Sequence, residues 1–236
     1  MVPLIEKLRR KLANQAEVAQ QARLYLDFIA EDTTAAHAKE LLKQAMLEIF
    51  WYAPLFTEAV FLAVGRMPKS HPALMKHVAH IALVEANHFE IAYRDYLRLG
   101  GDGDWARSVR ISPASFMVGA VAKRLAEHEE AFSILGAMYL IEGIAPDLNR
   151  KVQATIAAKL GEPATTGEAS EFVRLHAEED VAHTLHMEKA IEDVALAFPS
   201  SASAIEYGLD CFSLVYPLPV WHGAWVRAES FRKGVG

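Results

Sequence analysis

With one cysteine, Cys211, in 236 residues, the chain can form no internal disulfide and no cysteine-built zinc or iron–sulfur site of its own. Basic blocks are also missing. Lys and Arg number 24 against 30 Asp and Glu, and the resulting charge of −6 and pI near 5.9 argue against a general nucleic-acid binder. No uninterrupted apolar run reaches membrane-spanning length, so no membrane partner is expected. The N-terminus, MVPLIEKLRRKLANQ, becomes charged at once and lacks the apolar h-region of a secretory signal, which makes the cytoplasm the simplest address. Alternating apolar and polar runs at strand spacing, solenoid-period repeats and low-complexity tracts are absent as well.

What is present is apolar residue at helical spacing. The apolar share of 52% is enough for a sizeable core, and the absence of a long linker predicts one domain over residues 1–236. The pattern predicts an all-α bundle of about seven helices. These run over 4–29, from Thr34 to Val64 with a bend at Pro54, from Pro72 to a stop at Gly100 and Gly101, and from Pro113 to Ile144. A shorter helix covers 147–160, another runs from Glu168 to Ala197, and the last extends from Pro199 to around Trp221–Phe231. GDGDWARSVRISP and GEPATTGEAS read as loops, and Gly119 and Gly136 as points where another element comes close.

One stretch stands out chemically: FVRLHAEEDVAHTLH, residues 172–186. At about 100° per residue, Asp180 lies about 40° from His176, and His183 about 20° on its other side. A core-packing stripe should avoid a carboxylate, and a solvated face has no need of clustered imidazoles. Asp180-x-x-His183 and the earlier Glu85-x-x-His88 each place a carboxylate and an imidazole one turn apart. Two such pairs, with single carboxylates from two other helices, are the ligand set of dinuclear iron or manganese sites in bundles. Glu142, in the apolar GAMYLIEGIAP, and Glu48, in QAMLEIFWYAP, are candidates for the single carboxylates. Carboxylates can bridge two cations while imidazoles cap the outer sides, and the mixed nitrogen and oxygen donors favour iron or manganese over calcium or magnesium. Glu142 reads as the bridge. Tyr139 and Tyr93, near presumed ligands, are candidate electron or proton donors, although buried Tyr is more often structural. His186 continues the stripe by one turn.

On VEANHFEIAYRDYLRLG, YLIEG and LHAEEDVAH, about residues 40–195 of the chain resemble the haem-oxygenase-like, or TenA/PqqC-like, helical superfamily. More closely, they resemble its diiron oxidase and oxygenase branch, which includes the CADD-type proteins. The resemblance implies two irons per chain, or a manganese–iron pair, held by Glu85, His88, Glu142, His176, Asp180 and His183. It also implies O2 and a small-molecule substrate, such as an amino acid or fatty acid, and a homodimer. Where CADD-type members carry a metal-binding Glu two turns before the histidine, this chain has Ile81, and Glu85 takes over one turn later. Thiaminase-type relatives use a mid-chain cysteine, which AFSILGAMYLIEG lacks. The alternative is a metal-free TenA/PqqC-like protein that binds a small molecule or partner, its polar stripe serving as a hydrogen-bond network.

Overall fold

The longest element shows how local signals set the frame. The Thr34 hydroxyl accepts from the His37 N–H, and from there a helix runs unbroken through Ala35–Arg66, with Pro54 inside it. In the computed structural model, residues 3–144, 146–161 and 170–233 are described, with backbone alone at 146, 147, 179 and 180. They form twelve helices and no strand: α1 Leu4–Ala19, α2 Arg23–Ile29, α3 Ala35–Arg66, α4 Pro72–Glu85, α5 His88–Arg98 and α6 Gly103–Ser108; then α7 Pro113–His128, α8 Ser133–Ile144, α9 Pro146–Leu160, α10 Glu171–Ala197, α11 Ser201–Ser213 and α12 Leu218–Arg232. The all-α expectation holds. The expected start of α10 at Glu168, and most of the GEPATTGEAS loop, lie outside the described residues.

Seven helices become twelve because four expected helices each divide in two and one expected loop coils. The stretch 4–29 breaks at Ala22, where ψ is 135°, and this turns Leu24 and Phe28 toward a different apolar cluster from the one that receives Leu8 and Leu12. The stretch from Pro113 divides at Glu129, whose backbone is extended. Beyond it, α8 is buried at every residue from Ser133 to Leu140, as befits a central helix, whereas α7 keeps a polar face. The C-terminal stretch divides before Pro217, which follows a cis peptide bond. Asp102 caps α6 by accepting from Asp104 N and Trp105 N. The stop at Gly100 is as expected: its φ of 85° and the bonds Gly101 N→Tyr96 O and Gly100 N→Leu97 O make a Schellman motif.

Two apolar clusters fill the bundle, and α3 belongs to both. Its N-terminal half gives Leu41, Leu42 and Leu47 to one, and its C-terminal half gives Ala59, Val60 and Ala63 to the other. By length and composition α3 could cross a membrane, although charged residues such as Glu48 and Glu58 interrupt its apolar run; here it packs against α5, α7 and α12. Gly136 is a close-approach point as expected. A Cβ there would sit 2.0 Å from the Ile205 carbonyl oxygen of α11, and one on Gly208 would sit 1.8 Å from that of Ser133, so α8 and α11 meet backbone to backbone.

Candidate metal centre

The helix expected to run from Pro72 to Gly100 is interrupted at Ala86 and Asn87, and the interruption shapes the site. Asn87, at φ −106° and ψ 0°, lies near the bridge region, and Glu85 and His88 end up facing each other across the break. Glu85 Oε2 is 2.6 Å from His88 Nδ1 and 4.0 Å from His176 Nε2 of α10, and the two imidazole nitrogens are 3.2 Å apart. The other oxygen, Glu85 Oε1, is 3.2 Å from His183 Nδ1, which in turn lies 3.4 Å from Glu142 Oε2 of α8. Two groups of donors result: Glu85, His88 and His176, and Glu85, Glu142 and His183. Within each group one donor atom from each residue lies within 4.8 Å of those of the others. The carboxylate common to both groups is Glu85, whereas the sequence reading gave the bridging place to Glu142.

Five of the six expected ligands therefore converge. Asp180 belongs to α10, but its side chain lies outside the described residues. His186 is exposed.

The electrostatics follow from burial and mutual contact. Burial pushes the Glu85 carboxyl up, but His183 and His88 beside it outweigh this and hold it at about 2. Burial keeps Glu142 above the usual carboxylate range, despite His183. Contacts with Glu142 and Glu85 raise His183 to about 10, and burial lowers His176 to about 4. One pair stays unsatisfied. Glu85 Oε1 and His183 Nδ1 are close enough for an ion pair, yet both are buried without an aligned hydrogen bond. A cation between these donors would supply the missing partner, so the residues fit a bound metal.

His176 is oriented from behind. Its Nδ1–H donates to the Phe172 carbonyl at 2.7 Å, which fixes the neutral tautomer with Nε2 toward Glu85, and the Phe172 ring stacks on the imidazole at 3.8 Å. Phe172 is itself anchored from α5. Its N–H donates to Asp95 Oδ2 at 2.8 Å, and Asp95 is fully buried. The N-cap residue of α10, Ser170, makes no side-chain cap, so Asp95 caps the helix from outside. This residue was missed in the sequence, because no spacing rule links position 95 to position 172.

The helical arrangement has counterparts among solved structures. A domain of unknown function with a heme oxygenase-like fold from Shewanella denitrificans matches with a TM-score of 0.82 at 17% identity, over 99% of this chain and 97% of that one. The fold is haem-oxygenase-like. TenA homologues from Pseudomonas syringae and P. horikoshii match with TM-scores of 0.67 and 0.71, each at 14% identity, over 96% of this chain and 98% and 100% of theirs. No family model and no curated protein matches the sequence.

Three candidates take other places in this haem-oxygenase-like bundle. Tyr139 donates to Glu188 Oε1 at 2.8 Å, and Arg9 of α1 grips Glu188 through two nitrogens, so the tyrosine belongs to a strut between α1, α8 and α10 rather than to the donor groups. Burial and the Glu188 contact push its hydroxyl well above the ordinary range. Tyr93 stacks near Phe50 and under Arg107. Glu48 is committed elsewhere too: Ser112 and Ser115 donate to its Oε2, and Arg227 lies 2.6 Å from its Oε1. Glu48, Glu85, Glu142 and His176 instead share a cavity of about 150 Å³, which opens where the two apolar clusters meet. Tyr52 and Tyr216 also line it, with their rings 5.7 Å apart.

Proposed function

We propose that the protein is a non-haem diiron oxidase or oxygenase that uses O2 to oxidise a small organic molecule. The observation that carries this reading is the position of Glu85, one carboxylate facing two donor groups, each completed by imidazole. Glu85, His88, Glu142, His176 and His183 would hold the metals, with Asp180 one turn before His183 as the sixth ligand. Iron, when bound, supplies redox chemistry with dioxygen. The chain's own residues prepare the rest. Phe172 and Asp95 hold His176 with Nε2 toward Glu85. Burial keeps bulk water from Glu142, and the apolar cavity beside it gives an organic molecule a place next to the carboxylates.

That cavity also supports the second reading, a metal-free binder of a small molecule. Iron analysis separates the two. Protein loaded anaerobically with Fe(II) and freed of excess should retain about two irons per chain, and His183→Ala should lose at least one. If the wild type retains none, the oxygenase reading falls and the binder stands.

A further inference from the structure

The cavity beside the donor groups has a chemistry of its own, and on it the choice of substrate class can be made. Its walls are mostly hydrocarbon, including Leu24 and Phe28 of α2, Leu41 and Met46 of α3, Val152 of α9 and Ala224 of α12, with neutral polar groups from Asn149, Tyr25, Tyr52 and Tyr216. Among the described residues that line it there is no Lys or Arg, and the charged groups are three carboxylates, Glu48, Glu85 and Glu142. Arg227 approaches one of them, Glu48, but is taken up by it and by Gln44, whose Oε1 accepts from Arg227 Nε at 2.9 Å.

In the metal-free protein an anionic head group in this space would meet three carboxylates with no Lys or Arg to receive it. An ammonium group would fare little better, because Glu48 already has its guanidinium, Glu85 lies against His88 and His183, and Glu142 lies against His183. A zwitterion would face both difficulties. Hydrocarbon is the complement of the remaining wall. In size, the space of about 150 Å³ is comparable to an engineered protein cavity that takes up benzene.

We infer that the cavity selects an uncharged, compact apolar molecule, a short alkyl chain or a single aromatic ring bearing at most a neutral polar group, and that with no metal bound it rejects free amino acids and carboxylates. This rests on the diiron reading only for the use to which the cavity is put; binding itself needs no metal. The ligand would lie between α2, α3 and α12 with one end against Glu85, Glu142 and His176, so the carbon presented to that end is the one oxidised.

The test is a binding comparison on the full chain, both metal-free and loaded with Fe(II), by calorimetry under anaerobic conditions. Toluene is set against benzoate, and 1-hexanol against hexanoate and norleucine, with the iron content of each sample measured in parallel. Toluene and hexanol should bind at least tenfold more tightly than their charged counterparts in the metal-free state, and toluene should bind in both. Ala45→Leu, which fills the cavity from α3, should weaken toluene at least fivefold, and Val152→Phe provides the same check from α9 should the first variant fail to fold. Equal or tighter binding of benzoate, hexanoate or norleucine by the metal-free protein overturns the inference. So does the absence of toluene binding, or toluene binding unchanged in a folded, cavity-filled variant. Selective toluene binding by a protein that retains no iron leaves the inference standing and removes the diiron reading. Two irons in the loaded protein, with a preference of the metal-free protein for hexanoate, do the reverse.

Discussion

Replacing Asp95 with alanine tests whether a helix can be capped from a neighbouring one. Asp95 is fully exposed to none of the solvent and accepts the Phe172 N–H at 2.8 Å, where Ser170 supplies no cap of its own. Losing a capping side chain costs about 1 kcal/mol, and an orphaned buried N–H costs about 1–3 kcal/mol. The two overlap, so Asp95→Ala should lose about 2 kcal/mol, which lowers Tm by about 4–8 °C in a chain of this size. Asp95→Asn separates hydrogen bond from charge. Burial raises the Asp95 carboxyl above its ordinary range even though the Phe172 and Glu171 amides favour its ionised form, so ionisation there works against folding. A raised folded-state value means a contribution present below the ordinary carboxylate pKa and lost as pH rises through the raised one. The amide keeps an acceptor and escapes that penalty. Asp95→Asn should therefore stay within about 1 kcal/mol of wild type at neutral pH and gain on it as pH rises from acid. Urea unfolding from pH 4 to 8 measures both. An alanine variant that loses less than about 0.5 kcal/mol, or an asparagine variant as unstable as the alanine one, would refute the capping argument.

Three further outcomes are expected. Gly208→Ala should destabilise by about 1–3 kcal/mol in urea unfolding despite alanine's better helix propensity, because the obstacle is the Ser133 carbonyl rather than a movable side chain. Tyr139→Phe should cost about 1 kcal/mol through the lost Glu188 bond and leave metal stoichiometry unchanged; a drop in bound iron would return the tyrosine to the site. His183, raised to about 10 by Glu142 and Glu85, contributes stability that is complete below its ordinary value of 6.5 and lost as pH rises through about 10. Metal-free protein should accordingly lose melting temperature over that window, and Fe(II) loading at pH 7 in weak buffer should release protons as His183 gives up its charge; loading with no proton release contradicts this.

The cluster of donors was legible because it depends on spacing within helices. Glu85 and His88, and His176 and His183, announce a shared face by position alone. That Glu85 rather than Glu142 belongs to both donor groups was not, because it depends on where α4 breaks, and neither Ala86 nor Asn87 is a Gly or Pro that would mark the place. The break at Ala22 is silent for the same reason: it is imposed by the division of apolar side chains between two clusters, a tertiary demand. Tyr139 looked close to the site from its number, yet the hydroxyl follows Glu188 and Arg9, residues remote in sequence from it. The Schellman stop at Gly100 and the close approach at Gly136 were readable because glycine carries the backbone requirement in its own identity.

The meeting of two apolar clusters along α3 has a volumetric consequence. Of the space of about 150 Å³ per molecule, equivalent to about 90 mL/mol, whatever part stays empty of water is eliminated when the chain unfolds. A molecule that fills the space between α2, α3 and α12 should therefore raise the pressure at which the chain unfolds.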